Sequence, residues 1–514
     1  MPKSVQGSNS PTTLPKPDTQ EELAEELLET AFIPPSDEAL DTDDLIDAAE
    51  ELLRQGAPHD FDVAIIGAGP GGLACATQLA QSELKVVVIE DREIGGVCLN
   101  RGCIPTKTLL ESVGALRLVR RASAFGVGIS GEITVDFAAM QNRKRRVVES
   151  LRRASVEQLK EAGVSILRGK ARFVDEHTLE ISGPDARELT AVHVVIATGG
   201  LPMKLPIEGA ELEGVLTSDE ALQLESVPAS MMVIGGGAVG VEFASIFAEV
   251  GARVCILEQQ SQILPGEDED IQRAMRASLE KSEIEIVSGA ELQRIENGGD
   301  GLIAHFECDG QNQRRTATLI LMAAGRRANL DELNLDAADV RGENDHVDVD
   351  ENNETSTGGV WAIGDCIRRV GWAHQAALEG RRVAHNIRGL ESDADTQFVP
   401  SCYYTFPEVA TVGLTLEAAR DLEIEARVGK FPFRANGRAN TSGDEGGFVK
   451  IVVEVGSDKI LGAQIIGPRA TELINEIALA MRQDQGALTL ADSLHAHPTF
   501  AEVLPGAARA ALQG

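Results

Sequence analysis

Cys98 and Cys103 stand with four residues between them in the stretch GGVCLNRGCIPTK, Gly95 to Lys107. Only seven cysteines occur in the 514-residue chain: Cys75, Cys98, Cys103, Cys255, Cys308, Cys366 and Cys402. Seven in a chain this long is no disulfide scaffold, and an odd number leaves at least one thiol free. No nearby His or Cys completes a zinc set, so no metal site is expected. In a cytosolic protein a close pair points to thiol redox chemistry more than to a staple. On a regular helix, residues five apart have Cα atoms roughly 8 Å apart. A disulfide needs less than about 7 Å. The segment must therefore be distorted, and Gly102 is the residue that allows it. A strained, accessible disulfide is readily reduced, as a catalytic one must be.

A thiol cycle also needs a base. The stretch SLHAHPTFAEVL near the C-terminus supplies His497 and Glu502 on either side of a proline turn. A carboxylate can hold an imidazole in one tautomer and raise its basicity. His495 is the alternative base, or a local hydrogen-bonder. The base lies almost 400 residues from the cysteines, which suits a site shared across a dimer.

The elements that would position these groups begin at Phe61. FDVAIIGAGPGGLACATQLAQSELKVVVIE reads as strand, glycine turn, helix, strand. Its apolar run enters the glycines with no polar break, as a strand buried on both faces would. The same grammar returns in MMVIGGGAVGVEFASIFAEVGARVCILE, offset by 168 residues. Gly67, Gly69 and Gly72 in the first copy match Gly235, Gly237 and Gly240 in the second. Glu90 and Glu258 each end the following strand, 23 residues after the first glycine. In such a fingerprint the first glycine makes the turn, the second lets backbone approach a pyrophosphate, and the third packs helix on strand. The helix N-terminus offers unpaired N–H groups to the phosphates. The glutamate can accept from ribose hydroxyls. Two dinucleotide sites in one chain imply electron transfer between two cofactors, a flavin that stays and a nicotinamide that visits. Glu258 would repel a 2′-phosphate, and EQQSQ offers no Arg to bind one, which favours NAD over NADP.

Composition bounds the rest. The net charge is −34, so nucleic acid would be repelled. Basic residues number 47, of which 12 are Lys and 35 Arg. Acid excess with scarce Lys suits either high salt or an ordinary acidic protein of a GC-rich genome. Hydrophobic content is 43% but aromatic content only 4%, so the core must be built from Ala, Val, Leu and Ile, as in an α/β protein. No run approaches the roughly 18 apolar residues of a membrane span. The N-terminus carries neither a secretory nor an Arg-rich transit pattern, and a cytoplasmic location is expected. Residues 1–60 hold 15 acids against 3 bases and are expected to form a flexible acidic extension.

GGVCLNRGCIPTK, the two fingerprints, VIATGG, AIGDC and HAHPTFAE occur in the order of the pyridine-nucleotide disulfide oxidoreductases. Over about residues 61–510 the chain resembles that family, and within it the dihydrolipoamide-oxidising dehydrogenases most. The resemblance implies two Rossmann-like dinucleotide-binding domains and a C-terminal α+β dimerisation domain. Residues 61–207 would bind FAD, 208–328 NAD, 329–399 would complete the FAD site, and 400–514 would form the dimer interface. It implies FAD and NAD as cofactors, a homodimer, and a lipoyl-bearing acyltransferase or carrier protein as partner. Cys98 would exchange with substrate, and Cys103 would face the flavin as the charge-transfer thiolate. Lys107 would lie near the flavin and pair with Glu242. Thr198 and Gly199 of VIATGG would line the cofactor, and Asp365 would bond the ribityl chain. Ala373 and His374 would meet the flavin's pyrimidine end through backbone. His497, oriented by Glu502, would act in the partner subunit's site. Three positions depart from the family pattern: Thr106 for a more usual Ser, Gln375 for Lys, and Trp372 for an aliphatic. Mercuric reductase shares the disulfide but ends in a cysteine pair, which LPGAARAALQG lacks. A non-catalytic flavoprotein scaffold would not need Cys98, Cys103 and His497 together.

Overall fold

The computed structural model describes residues 59–513, apart from 344–345, 368–370 and 391–396. The expected acidic extension thus lies outside the described residues, except for His59 and Asp60. Strand β1 (Phe61–Ile66) runs into helix α1 (Pro70–Leu79), which returns to strand β2 (Val86–Glu90). Val63, Ala64 and Ile65 are fully buried, as are Val87 and Val88. Burying such side chains on both faces of a parallel strand contributes about 1.5–3 kcal/mol each. β1 lies parallel to β2, with Val63 opposite Val86, and parallel to Arg187–Ile196 on its other side. The strand pair Lys170–Phe173 and Thr178–Ser182 extends this sheet antiparallel. Val360–Ala362 joins it from far along the chain, parallel to Arg187–Ile196.

The cysteine segment follows β2. Helix α2 (Gly96–Arg101) and helix α3 (Cys103–Arg120) are separated by Gly102, at φ −139° and ψ −108°. The break expected from the cysteine spacing is there, at that glycine.

The second copy repeats the first. Strand β3 (Ser230–Ile234), helix α4 (Ala238–Glu249) and strand β4 (Arg253–Glu258) form a parallel unit. It sits in a five-stranded parallel sheet with Glu285–Ser288, Leu319–Met322 and Val215–Leu216. An antiparallel three-stranded sheet over Glu291–Ala317, which the sequence pattern did not announce, packs beside it. Helix α5 (Ala373–Ile387) lies against α1 at very short range. A Cβ on Gly380 would stand 2.3 Å from the Gly71 carbonyl oxygen, so the two helices touch backbone to backbone. From Ser401 the chain forms a five-stranded antiparallel sheet. Phe448–Glu454 and Ile460–Gly467 form its centre, buried from Phe448 to Val453 and from Ile460 to Gly467 and apolar apart from Lys450 and Gln464. Helices Ala470–Arg482 and Val503–Gln513 cover it.

Candidate active site

The two glycine turns are built alike. Gly67 and Gly235 have φ +107° and +106°, which L side chains rarely adopt. A Cβ on Gly72 would stand 2.0 Å from the Gly67 oxygen, and one on Gly240 1.9 Å from the Gly235 oxygen. Only glycine lets each helix start this close to its strand. The middle glycines differ from both: a Cβ on Gly69 or Gly237 would meet nothing within 4 Å. That open face above a helix N-terminus fits a pyrophosphate. Glu90 accepts from Ala68 N at 2.8 Å and from Arg92 N at 3.0 Å. Glu258 accepts from Gly236 N at 2.6 Å and Gln260 N at 2.7 Å. Each carboxylate oxygen keeps a lone pair for a ribose hydroxyl. The two turns are thus matched in shape and in hydrogen bonding, and their residues fit the adenosine-diphosphate half of a flavin and of a nicotinamide dinucleotide.

Cys103 is the first residue of α3, where the helix dipole favours a thiolate. The Cys98 thiol donates to it. That hydrogen bond, and the nearby Lys107 ammonium, pull Cys103 down to about 7 against the opposing effect of burial. The same bond, with burial, pushes Cys98 well above the ordinary thiol value. The pair is therefore unequal, with Cys98 keeping the proton and Cys103 taking the charge. Thr106, one of the departures, donates to the Gly102 carbonyl at 2.7 Å across the break. A serine there could do no more, so the change leaves the segment intact.

Lys107 lies one turn into α3 and meets the Glu242 carboxylate at 2.8 and 2.9 Å. Glu242 is buried on α4, and Tyr404 N also donates to it at 2.9 Å. The Lys107 ammonium sits 4.6 Å from the Tyr404 ring centre. Tyr404 was invisible to sequence reasoning, since a tyrosine that works through its backbone amide leaves no motif.

Thr198 and Gly199 follow the strand Arg187–Ile196, and Gly199 has φ +69°. Asp365 accepts from Arg326 Nε at 3.3 Å, and Arg326 also bonds the Gly200 carbonyl. The sequence reading missed Arg326. Ala373 and His374 open helix α5, which leaves their N–H groups unpaired within the helix. His374 Nε2 bonds the Pro400 carbonyl at 2.8 Å, and burial lowers its basicity. Gln375, in the position of a more usual Lys, bonds Glu379 at 3.1 Å.

The two histidines near the C-terminus divide. Both ring nitrogens of His495 are taken, by Glu476 Oε1 at 2.9 Å and the Ser493 carbonyl at 3.1 Å. His497 bonds Glu502 Oε1 at 2.8 Å through Nδ1 and leaves Nε2 open, with 79% of the side chain exposed. Glu502 also accepts from Thr499 N at 2.8 Å, and its partners hold it below the usual carboxylate range, His497 first. Among the described residues no hydrogen bond or ion pair joins His497 or Glu502 to Cys98 or Cys103. Leu479, Leu488 and the fully exposed Leu494 give this part of the chain an uncovered apolar surface. No group of three or more His, Cys, Asp or Glu among the described residues could hold a metal ion.

Residues 61–380 match the family described as pyridine nucleotide-disulphide oxidoreductase, and 399–508 match its dimerisation domain. The chain belongs to the pyridine nucleotide-disulphide oxidoreductases. Among similar proteins is a dihydrolipoyl dehydrogenase of Chlorobaculum parvum, 39% identical over 465 residues, 89% of this chain and 98% of that relative. Another, from Bacillus subtilis, is 36% identical over 88% of this chain and 98% of its own length. LpdA from Mycobacterium tuberculosis superposes with a TM-score of 0.81 at 27% identity, covering 87% of this chain and 98% of that one. The HOCl-induced flavoprotein disulfide reductase RclA from Escherichia coli, as its Cu(II) complex, gives 0.80 at 28%, covering 88% and 99%. The enzyme is thus an FAD- and NAD-dependent disulfide oxidoreductase in type, and its dimerisation domain supports a homodimer. Among the described residues no helix is long and apolar enough to cross a membrane.

Proposed function

We propose that this chain is a dihydrolipoamide dehydrogenase, which oxidises protein-bound dihydrolipoamide and reduces NAD+. The observation that carries the reading is the unequal thiol pair beside Lys107–Glu242, in a chain whose relatives carry that name. Gly67, Gly69, Gly72, Glu90, Lys107, Thr198, Gly199, Asp365, Ala373 and His374 would hold FAD. Gly235, Gly237, Gly240 and Glu258 would hold NAD, with Glu242 between the two. The domain limits read from the sequence belong to the same proposal, as do a cytoplasmic location and a lipoyl-bearing protein as partner.

In the oxidised enzyme Cys98 and Cys103 form a disulfide. A substrate thiol gives its proton to His497 Nε2 and attacks Cys98 Sγ. A bond forms between the substrate sulfur and Cys98, and Cys103 leaves as a thiolate. The second substrate thiol then attacks the first substrate sulfur, which closes the lipoamide disulfide and releases Cys98. Of the two substrate protons, one ends on Cys98 and the other on His497. Glu502 keeps Nδ1 protonated, so Nε2 remains the acceptor. Lys107 stabilises the Cys103 thiolate until its electron pair is passed on. Bound FAD supplies the two-electron carrier between that thiolate and NAD+. His497 would act on Cys98 of the other subunit, because among the described residues its exposed Nε2 has no hydrogen-bond partner.

Anaerobic addition of dihydrolipoamide tests the reading. A long-wavelength charge-transfer band and NADH formation are expected, and their absence overturns it. A Cys98→Ser subunit paired with a His497→Gln subunit tests the shared site. Each homodimer should be nearly inactive and the heterodimer should regain one working site. A verified heterodimer with no activity would mean that the base acts within its own chain or that His497 is not the base.

A further inference from the structure

Trp372, the departure that the family pattern leaves unused, packs at the start of α5. Its ring stacks on His374 with centroids 6.0 Å apart. Tyr403 meets its face edge-on at 6.1 Å and 89°. The Tyr403 hydroxyl then donates to Glu267 Oε1 at 2.6 Å, and Thr411 donates to the same oxygen at 3.3 Å.

Glu267 ends the segment that leaves β4 after Glu258. This segment is fastened to the second glycine turn, since Leu264 N donates to the Gly236 carbonyl at 2.8 Å. Ile263 packs so closely that a Cβ on Gly236 would stand 2.7 Å from it. Leu264 is buried at φ +51°, a conformation that only a tightly held residue keeps. Glu267 N bonds back to Leu264 O at 3.1 Å, so the carboxyl follows the turn. The next residue, Asp268, is clamped to the buried Lys450 at 2.7 Å and caps Asp270 N at 2.9 Å. At the other end, Tyr404, the neighbour of Tyr403, donates its N–H to Glu242.

We infer that Glu267 and Tyr403 are positioning residues that tie the second dinucleotide turn to the Lys107–Glu242 pair beside the cysteines. The inference rests on the dinucleotide reading of that turn. A ligand that fills the turn presses on Gly236 and Glu258, and the fastened segment carries the displacement to Glu267. The hydrogen bond moves Tyr403, and the peptide that follows moves with it. Tyr404 N then changes its hold on Glu242, and with it the charge that Lys107 shows to Cys103. From Gly236 to Tyr403 the links are hydrogen bonds or packed contacts between buried or half-buried groups, the Tyr404 N–H continues them to Glu242, and the last step to Cys103 is the charge of Lys107. Such packed links transmit small shifts because packed interiors do not deform freely. Burial pushes the Glu267 carboxyl up, and the Tyr403 and Thr411 hydroxyls oppose that rise. This carboxyl therefore depends on those hydroxyls to stay in place.

The test uses reduced, full-length holoenzyme and ADP-ribose, which fills the adenosine half of the site and cannot take a hydride. The Cys103 charge-transfer band is titrated against pH with and without it. In the wild type ADP-ribose should change the Cys103 acid constant by about fivefold or more, the scale of ordinary coupling between sites. Tyr403→Phe keeps the ring and loses the hydroxyl, and the change should vanish although ADP-ribose still binds by calorimetry. Glu267→Gln keeps an acceptor and should retain at least part of the response. Glu267→Leu should lose it, and stands in for Tyr403→Phe if that variant does not fold. A wild-type-sized response in Tyr403→Phe or Glu267→Leu overturns the inference, as does no response in the wild type. If dihydrolipoamide turnover is intact in those cases, the function stands and only the coupling falls. If the flavin never reduces, the function itself falls.

Discussion

At the first glycine turn, the chain that follows β2 folds back onto the turn itself. Gly95 N bonds the Ala68 carbonyl at 2.8 Å, and a Cβ on Gly96 would stand 2.7 Å from the Gly69 Cα. At the second turn, the chain that follows β4 instead brings Leu264 onto Gly236 and then leaves toward the C-terminal sheet. The turns share their φ angles, their glycine contacts and their glutamate hydrogen bonds to within a few tenths of an ångström. What differs is the next segment. After the first turn it carries Cys98 and Cys103, so a cofactor there would lie beside the redox pair. After the second it carries no thiol. Helix α1 is also sealed by α5, through Gly71 and Gly380, whereas α4 shows its buried Glu242 to the redox helix. One local grammar would thus serve two sites of different use, with the sequel to the turn deciding which.

Filling each turn should have the largest effect. Gly72→Ala puts a methyl 2.0 Å from a carbonyl oxygen, and Gly240→Ala one at 1.9 Å. Overpacking of this kind costs about 1–3 kcal/mol and displaces the helix start. Gly72→Ala should yield colourless protein that has lost its flavin. Gly240→Ala should stay yellow but show flavin reduction by NADH slowed at least about 100-fold. Absorbance and stopped-flow reduction separate the two. If both variants lose flavin, the turns are not independent sites.

His497→Gln should cost about 10²–10⁴-fold in lipoamide turnover, the usual yield of a general base. His495→Gln, whose ring only joins Glu476 to Ser493, should leave turnover within a few fold. Equal losses in steady-state assays would remove the distinction drawn between the histidines.

Glu258→Ala should narrow the preference for NAD+ over NADP+ by about 1–3 kcal/mol, from the loss of a charged hydrogen bond. The ratio of kcat/KM values measures it. Glu90→Ala should leave that ratio unchanged and weaken flavin retention instead.

The smallest effect is in pH. Cys103 has a lowered value, near 7, so its thiolate is present above that pH and is lost as pH falls through it. The charge-transfer band of the reduced enzyme should follow that midpoint. Lys107→Met removes a cation that lowers Cys103, so the midpoint should rise, and an unmoved midpoint would show that Lys107 does not act on the thiol.

The glycine turns, their strands and the glutamates were legible in the sequence because their causes are local. A positive φ, a helix start against a strand and an unbroken buried strand each demand particular residues at fixed spacing. The break between the cysteines was legible for the same reason, since the disulfide distance and a regular helix disagree and Gly102 resolves them. Lys107 with Glu242 came from family resemblance and needed the fold to be seen as a bond, because 135 residues separate them. His497 came from family resemblance too, and the tertiary structure adds what sets it apart from His495, whose ring lies between two acceptors while the Nε2 of His497 is left open. Tertiary structure alone brought in Arg326, Tyr404 and the Glu267–Tyr403 link, whose partners lie from 39 to 162 residues away and follow no period. Local sequence dictates backbone geometry over one turn of chain, whereas contacts between distant side chains exist only once the sheets have packed.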